Sequence, residues 1–157
     1  MEVSKQTVRK QLCSGLLALA LIASLGGVAG AQQKTEPTLY KRLGGYDAIA
    51  AVADDLMPRL MRDPQLGRFW AHRGDDGLAR EKQLLVDFLC ASAGGPLYYR
   101  GRDMKRTHIG MRISHSDWQV FIGHLTATLE QFNVPERERQ EVFAFVESTK
   151  ADIVEIA

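Results

Sequence analysis

The stretch GGPLYYRGRDMKRTHIGM, residues 94–111, limits the possible folds because it joins a strong helix stop to a histidine in a basic segment. The Gly-Gly-Pro at 94–96 ends a preceding helix, since glycine suits the left-handed cap and proline cannot continue the helix. Asp103 can cap a short helix over 103–109, which places His108 near its end. The flanking sequence decides whether this histidine can bind a cofactor.

Apolar residues recur at helical spacing on both sides of this stretch. One helix follows Gly44-Gly45 and another runs from Leu78 to the stop at Gly94. Downstream, Ser114 caps a long helix, and Pro135 stands at the first position of the last one. No segment shows sustained alternation of polar and apolar residues. The sequence therefore predicts an all-α fold without a sheet.

Two irregularities are expected in the upstream helices. Pro58 lies inside the first helical pattern, where proline removes a hydrogen bond, so we expect a bend or an irregularity near Asp54 and Asp55. The segment GDDG at 74–77 is predicted to be a loop. Asp54 and Asp55 project about 100° apart on a helix, so they do not form a catalytic carboxylate pair.

The N-terminus has the pattern of a secretory signal peptide over residues 1–31. Lys5, Arg9 and Lys10 precede an uncharged apolar run, and Ala-Gly-Ala at 29–31 offers a cleavage site. The run is short for a bilayer span of about 20 residues, which favours cleavage over an uncleaved anchor. We expect a periplasmic or secreted protein without stable membrane insertion after cleavage. Residues 32–37 form a polar lead-in, and residues 38–157 form the domain.

Charge and ligand content exclude several classes of function. Cleavage removes three cations and one anion from totals of 20 and 19, so the remaining chain is close to neutral and has no field to attract nucleic acid. Cys90 is flanked by apolar residues and is predicted to be buried. Four histidines with one buried thiol make a poor tetrahedral zinc set. The absence of CxxCH argues against covalently attached c-type haem.

An all-helical domain with one distinctive histidine is compatible with an apolar cofactor pocket between helices. A single neutral imidazole is the usual proximal ligand of haem iron. Large apolar side chains can form the walls for a porphyrin, and cations around His108 can pair with its propionates. From the residues alone, an exposed inert histidine remains open, and so does an aromatic stripe that only builds the core. The candidate walls are Phe69, Trp70, Phe88, Trp118 and Phe121, and the candidate polar partners are Tyr99, Arg100, Arg102, Lys105, Arg106 and Arg112.

Six motifs in order resemble those of the group I truncated haemoglobins and together cover about Thr38 to Glu155. They are LYKRLGGYDAI, LGRFW at 66–70, GGPLYYRG at 94–101, MKRTHIGM at 104–111, Trp118 with the HL-x-x-x-L pattern at 124–129, and DIV at 152–154. The resemblance implies a two-over-two helical globin sandwich that holds a b-type haem. It makes His108 the proximal ligand of the iron. The implied cofactor-binding residues are His108, Met57, Phe69, Trp70, Leu85, Phe88, Leu89, Tyr99, Arg102, Met104, Lys105, Arg112, Ile113, Trp118 and Phe121.

The sequence departs from the family pattern on the distal side of the haem. Met57 stands where the family often has tyrosine, Leu85 stands where it commonly has glutamine, and Trp70 replaces a phenylalanine. Methionine and leucine cannot donate a hydrogen bond to a bound ligand. We therefore expect an apolar distal pocket that binds carbon monoxide and nitric oxide well and releases oxygen quickly or autoxidises. Glu81 can reach in from one turn earlier. A second hypothesis is that the Met57 sulfur approaches the iron.

The leading prediction is reversible binding of the diatomic gases oxygen, nitric oxide and carbon monoxide. The alternative is a haem enzyme, a nitric oxide dioxygenase or a peroxidase-like protein, which needs a separate reductase because the chain has no flavin or nicotinamide domain. A third possibility is a helical interaction module without haem. The other histidines are assigned no ligand role: His72 and His115 are predicted to be solvated, and His124 to pack beside the core.

Overall fold

The computed structural model describes residues 36–156, so the predicted signal peptide and most of the polar lead-in lie outside the described residues. This part is helical, and its only strand-like feature is an isolated parallel bridge between Ser114 and Ile156. The all-α prediction is confirmed for these residues. None of their helices has the length and apolar character needed to cross a membrane. The helices are α1 (Leu39–Arg42), α2 (Gly45–Arg62), α3 (Asp75–Ser92), α4 (Met104–His108), α5 (His115–Gln131) and α6 (Glu136–Ile153), with a 3₁₀ turn at Gly67–Phe69.

Helix α2 continues through Pro58, so the predicted irregularity does not interrupt it. An interior proline costs about 3 kcal/mol in an otherwise free helix. Here Ile49, Ala53 and Leu56 bury one face of α2 against neighbouring helices. Because tertiary packing supplies most helical stability in proteins, this burial outweighs the local cost.

Helix α3 begins at Asp75, three residues earlier than predicted. The GDDG segment is therefore the first turn of the helix and not a loop, and the Leu78 N–H donates to the Gly74 carbonyl at 3.0 Å. Asp75 and Asp76 lie in this first turn, where the helix macrodipole stabilises negative charge. The loop prediction was wrong because it treated Gly74 and Gly77 as loop residues and neglected the preference of Asp75 and Asp76 for the first turn of a helix.

The predicted stop at Gly94-Gly95 is confirmed in detail. Gly94 has φ +80°, its N–H donates to Ala91, and the Gly95 N–H donates to Cys90 at 2.8 Å. This pair of bonds is the Schellman arrangement that satisfies the last carbonyls of a helix. A Cβ on Gly95 would lie 2.6 Å from the Tyr40 ring, so the close approach of α1 also requires glycine there.

Two buried clusters organise the core, and α2 contributes to both. The larger one joins α2, α5 and α6, and the smaller one lies between α2 and α3 and includes the fully buried Cys90, as predicted. Each fully buried large aliphatic side chain contributes about 1.5–3 kcal/mol. Helix α4 packs against α6. The larger cluster contains Leu56, Leu60, Leu66, Trp118, Leu125, Leu129 and Val146, and the smaller one contains Ile49, Ala53, Val86 and Cys90.

Candidate functional site

Helix α4 carries the candidate histidine and is held by polar bonds at its start. The Asp103 carboxylate accepts the Arg106 N–H at 2.8 Å, so the predicted cap is confirmed. The Thr107 hydroxyl donates to the Asp103 carbonyl at 2.9 Å. A five-residue helix is too short to be stable by itself. These bonds therefore fix where its last residue, His108, is placed.

The half-buried His108 side chain is oriented by its own helix. Its Nδ1 lies 2.8 Å from the Met104 carbonyl oxygen, which can only accept. Nδ1 therefore carries a proton, and in the neutral imidazole Nε2 is the nitrogen with the free lone pair. No hydrogen bond within residues 36–156 involves this Nε2. Such an imidazole is prepared to coordinate a metal through Nε2, with the ring direction set by the other nitrogen.

The predicted aromatic walls fall into two groups. Phe69, Trp70 and Phe121 pack against the larger core cluster, of which Trp118 is a buried member. Trp118 also donates from Nε1 to a carboxylate oxygen of the exposed Glu147 at 3.1 Å, so its polar end is satisfied at the edge of the core. The four rings are thus brought together by the same cluster, but Trp118 is a core residue and the other three remain partly exposed.

The second aromatic group surrounds Phe88. Its ring centroid lies 5.2 Å from that of Tyr99 and 5.4 Å from that of Phe145. Leu85 and Leu89, on the same helix, are half-buried and pack against the smaller cluster. Phe145, on α6, is not among the predicted site residues. Its aromatic contact with Phe88 adds it to this wall.

The predicted polar partners of the cofactor lie on α4 and on the segments that flank it. Arg102, Lys105 and Arg112 are exposed and form no ion pair within residues 36–156. The Tyr99 hydroxyl instead donates to the Arg102 carbonyl at 2.8 Å, and burial raises its pKa. Three cations are therefore available to an anionic group. Of the remaining predicted residues, Met104 is half-buried and Ile113 is buried.

Met57, the predicted distal residue, is buried on α2 and lines a cavity of about 220 Å³ between α2 and α3. An ion pair between Lys82 and Asp54, 2.5 Å apart, lies at the same cavity. Lys82 is thus exposed and paired at the surface. Asp54 and Asp55 point to different partners, since Asp55 binds Arg59 at 2.6 Å. The prediction that they do not form a catalytic pair agrees with this geometry.

Glu81 makes a contact that the sequence did not reveal. The Trp70 indole N–H donates to one Glu81 oxygen at 2.9 Å. The other oxygen is inaccessible to solvent and accepts no hydrogen bond, and the nearest cation is the Arg73 guanidinium at 3.7 Å. Glu81 lies four residues before Leu85, on the same face of α3. The hydrogen-bonded pair of Glu81 and Trp70 therefore places a polar group beside an otherwise apolar wall.

The other histidines are placed as predicted. His72 and His115 are exposed, whereas His124 is half-buried with its Nε2 2.9 Å from a carboxylate oxygen of Asp63. The hydrogen bond from His124, together with those from the backbone of Leu66 and Gln65, lowers the pKa of Asp63. His124 therefore joins α5 to the end of α2 and has a structural role.

Comparison with known proteins identifies the family. The bacterial-like globin family model matches residues 38–155. The chain belongs to this family. A group 1 truncated haemoglobin from Mycolicibacterium paratuberculosis is 31% identical over 115 residues, which cover 73% of this chain and 82% of that protein. The predicted family is thus confirmed.

Solved structures agree with this globin assignment. The truncated haemoglobin of Tetrahymena pyriformis in its Fe(III) form superimposes with a TM-score of 0.69 at 26% identity, covering 75% of this chain and 98% of that one. The 2/2 haemoglobin of a Synechococcus species superimposes with a TM-score of 0.68 at 23% identity and supports the fold alone. It covers 75% of this chain and 98% of that one. The two-over-two helical sandwich is therefore confirmed.

Haem b is the cofactor that this globin family implies, and the residues present fit it. The free lone pair of His108 Nε2 is the donor that haem iron requires. Partly exposed apolar walls at Phe69, Phe88 and Phe121 suit a flat porphyrin, because core packing leaves these faces incompletely covered. The cations of Arg102, Lys105 and Arg112, which form no ion pair within residues 36–156, suit its propionates.

Proposed function

We propose that this globin reversibly binds diatomic gases, oxygen, nitric oxide and carbon monoxide, at a haem iron held by His108. The observation that carries the proposal is the hydrogen bond from His108 Nδ1 to the Met104 carbonyl. This bond orients the imidazole ring and leaves Nε2 as the nitrogen that would bind the iron. When bound, haem would supply an iron that can coordinate a small diatomic ligand. The protein residues position the cofactor and select what enters.

An apolar distal side is the second part of the proposal. Met57 and Leu85 have no hydrogen-bond donor. The nearby polar groups are engaged elsewhere, because the Trp70 N–H donates to Glu81 and the Lys82 ammonium pairs with Asp54. This supports tight binding of carbon monoxide and nitric oxide. It also supports fast oxygen release or autoxidation, since a ligand with partial negative charge finds no donor.

Absorption spectra test the cofactor and its ligand together. The wild type and His108→Ala, both supplied with hemin, are compared with and without carbon monoxide. In the wild type we expect an intense Soret band that shifts on addition of carbon monoxide. In His108→Ala we expect this band to be lost. Exogenous imidazole should restore it, because it replaces the deleted ring. His72→Ala is the matched control, since His72 is exposed. A colourless wild type, or an unchanged His108→Ala spectrum, would overturn the proposal.

We also propose that the protein is exported, on the support of the signal pattern in residues 1–31. Expression with its native N-terminus, followed by N-terminal sequencing of the periplasmic or secreted fraction, tests this. Export with cleavage predicts a chain that starts after Ala31. Recovery of a chain that still begins at Met1 would contradict cleavage.

A further inference from the structure

The chain end after α6 is bonded to the segment that follows His108. The Ile113 carbonyl accepts the N–H groups of Glu155 at 2.8 Å and Ile156 at 3.1 Å. The Ile156 carbonyl in turn accepts the His115 N–H at 3.1 Å. These bonds form around the isolated bridge between Ser114 and Ile156. The tail therefore packs directly beside the turn between α4 and α5.

The Glu155 carboxylate closes this turn. One oxygen accepts the Gly110 N–H at 2.7 Å, and the other accepts the Arg112 N–H at 2.5 Å. Between them, the Met111 N–H donates to the carbonyl of His108 itself at 3.0 Å. The turn held by the carboxylate thus begins at the candidate iron ligand.

The backbone of the turn needs this support. Gly110 has φ +83° and Arg112 has φ +57°, and the second value is uncommon for a residue with a side chain. Such strained conformations persist where the surroundings fix them. Hydrogen bonds from an amide to an ionised carboxylate are about twice as strong as neutral ones. The same bonds, first from Gly110 and then from Arg112, lower the pKa of Glu155.

We propose that Glu155, bonded to the backbone of Gly110 and Arg112, is a positioning residue that holds His108 at the distance and tilt required for iron coordination. The inference rests on the proposed function, in which His108 is the axial ligand. Helix α4 has five residues and is fixed at its start by Asp103. Glu155 fixes its other end, so the loss of this carboxylate frees the histidine to tilt.

The test compares Glu155→Ala and Glu155→Gln with the wild type. Asp152→Ala is the control, because it removes an exposed carboxylate three residues earlier at the end of α6. The first measurement is the iron–histidine stretching band of the ferrous protein by resonance Raman spectroscopy. The second is amide hydrogen exchange at Gly110 and Arg112. The third is the rate of hemin transfer to an excess of apomyoglobin.

Glu155→Ala should shift or broaden the iron–histidine band and accelerate exchange and hemin loss by about tenfold, because two charge-assisted bonds are lost. Glu155→Gln keeps one carbonyl acceptor, so its three measured values should lie between those of the wild type and those of Glu155→Ala. Asp152→Ala should match the wild type. If Glu155→Ala yields no folded protein, Glu155→Gln carries the same comparison.

The two proposals fail in different ways. If the band is present in the wild type, absent in His108→Ala and unchanged in both Glu155 variants, Glu155 does not position the histidine and the proposed function stands. If the wild type shows no iron–histidine band, His108 is not the ligand and the proposed function fails first. Equal exchange rates in all variants would likewise overturn the role of Glu155 in the turn.

Discussion

The two sides of the candidate haem site are built from opposite chemistry. On the histidine side, residues 103–117 and the chain end are fixed by polar bonds from Asp103, Glu155 and Asp117. On the proposed distal side, Met57 and Leu85 present apolar groups, and the polar groups nearby are paired with each other, Trp70 with Glu81 and Lys82 with Asp54. The contrast supports the proposal that the histidine side fixes the geometry of the ligand, whereas the other side would select gases by lacking hydrogen-bond donors.

Asp117 is the most heavily bonded group of the histidine side. It is 2% exposed, forms a reciprocal cap with Ser114, and accepts hydrogen bonds from Gln65 and Arg68 at 2.8 and 2.7 Å. Replacing Asp117 should therefore destabilise the histidine side more than replacing its other polar residues. We expect Asp117→Ala to lower the free energy of unfolding by about 2–4 kcal/mol, because the cap and the side-chain bonds are lost together.

Urea denaturation at neutral pH measures this effect. Asp152→Ala, which removes an exposed carboxylate, should stay within about 0.5 kcal/mol of the wild type. A loss below about 1 kcal/mol in Asp117→Ala would mean that the polar bonds of this side contribute little net stability.

Asp117 also predicts a pH dependence. Burial acts to raise its pKa, but hydrogen bonds from Arg68, Ser114 and Gln65 outweigh this and lower it below the ordinary value. A carboxylate with a lowered folded-state pKa stabilises the protein above its unfolded pKa, about 4, and loses that contribution as the pH falls further. The stability difference between wild type and Asp117→Asn should therefore shrink below about pH 4. A constant difference from pH 7 to pH 3 would contradict the assignment.

Introducing a hydrogen-bond donor on the apolar side tests whether that side selects ligands by lacking donors. Leu85→Gln keeps a similar volume and introduces an amide. If the distal side selects by lacking donors, oxygen dissociation should slow by about 10–100-fold, the effect of one hydrogen bond to a partly charged acceptor. Stopped-flow replacement of oxygen by carbon monoxide gives the rate. Arg80→Gln, exposed on the same helix, is the control. An unchanged rate would place Leu85 away from the ligand.

The smallest expected effect concerns the start of α4. Asp103→Ala removes the side-chain cap, which is worth about 1 kcal/mol. Because this helix is short, the loss should appear locally as amide exchange over residues 104–108 about five times faster. Global stability should change little. Protection equal to that of the wild type would show that Glu155 and the packing on α6 alone hold the histidine helix.

Local signals predicted the fold well because they act within a few residues. Asp103 and Ser114 were recognised as caps, and Gly94 as a stop, from the chemistry of single turns. The start of α3 was missed because two glycines obscured the preference of Asp75 and Asp76 for a first turn. The cofactor residues came from the resemblance, whose spacing fixes the positions of His108 and Met57.

Contacts between distant segments could not be predicted. Glu155 lies 45 residues from Gly110 and 43 from Arg112, and its bonds are to backbone groups, which leave no trace in sequence spacing. The pair of Trp70 and Glu81 depends on how the 3₁₀ turn meets α3. Only the packed structure shows that Phe145 of α6 faces Phe88.

The burial of Cys90 has a practical consequence. Its thiol is fully enclosed between α2 and α3, and burial, with a further contribution from the Asp87 charge, raises its pKa. Alkylating reagents attack thiolates, so this sulfur is protected twice, by access and by protonation. Its labelling rate therefore reports how often the two helices separate. Peptide mapping distinguishes labelled Cys90 from labelled Cys13. The native Cys90 thiol can therefore report the rate of local opening without an introduced probe.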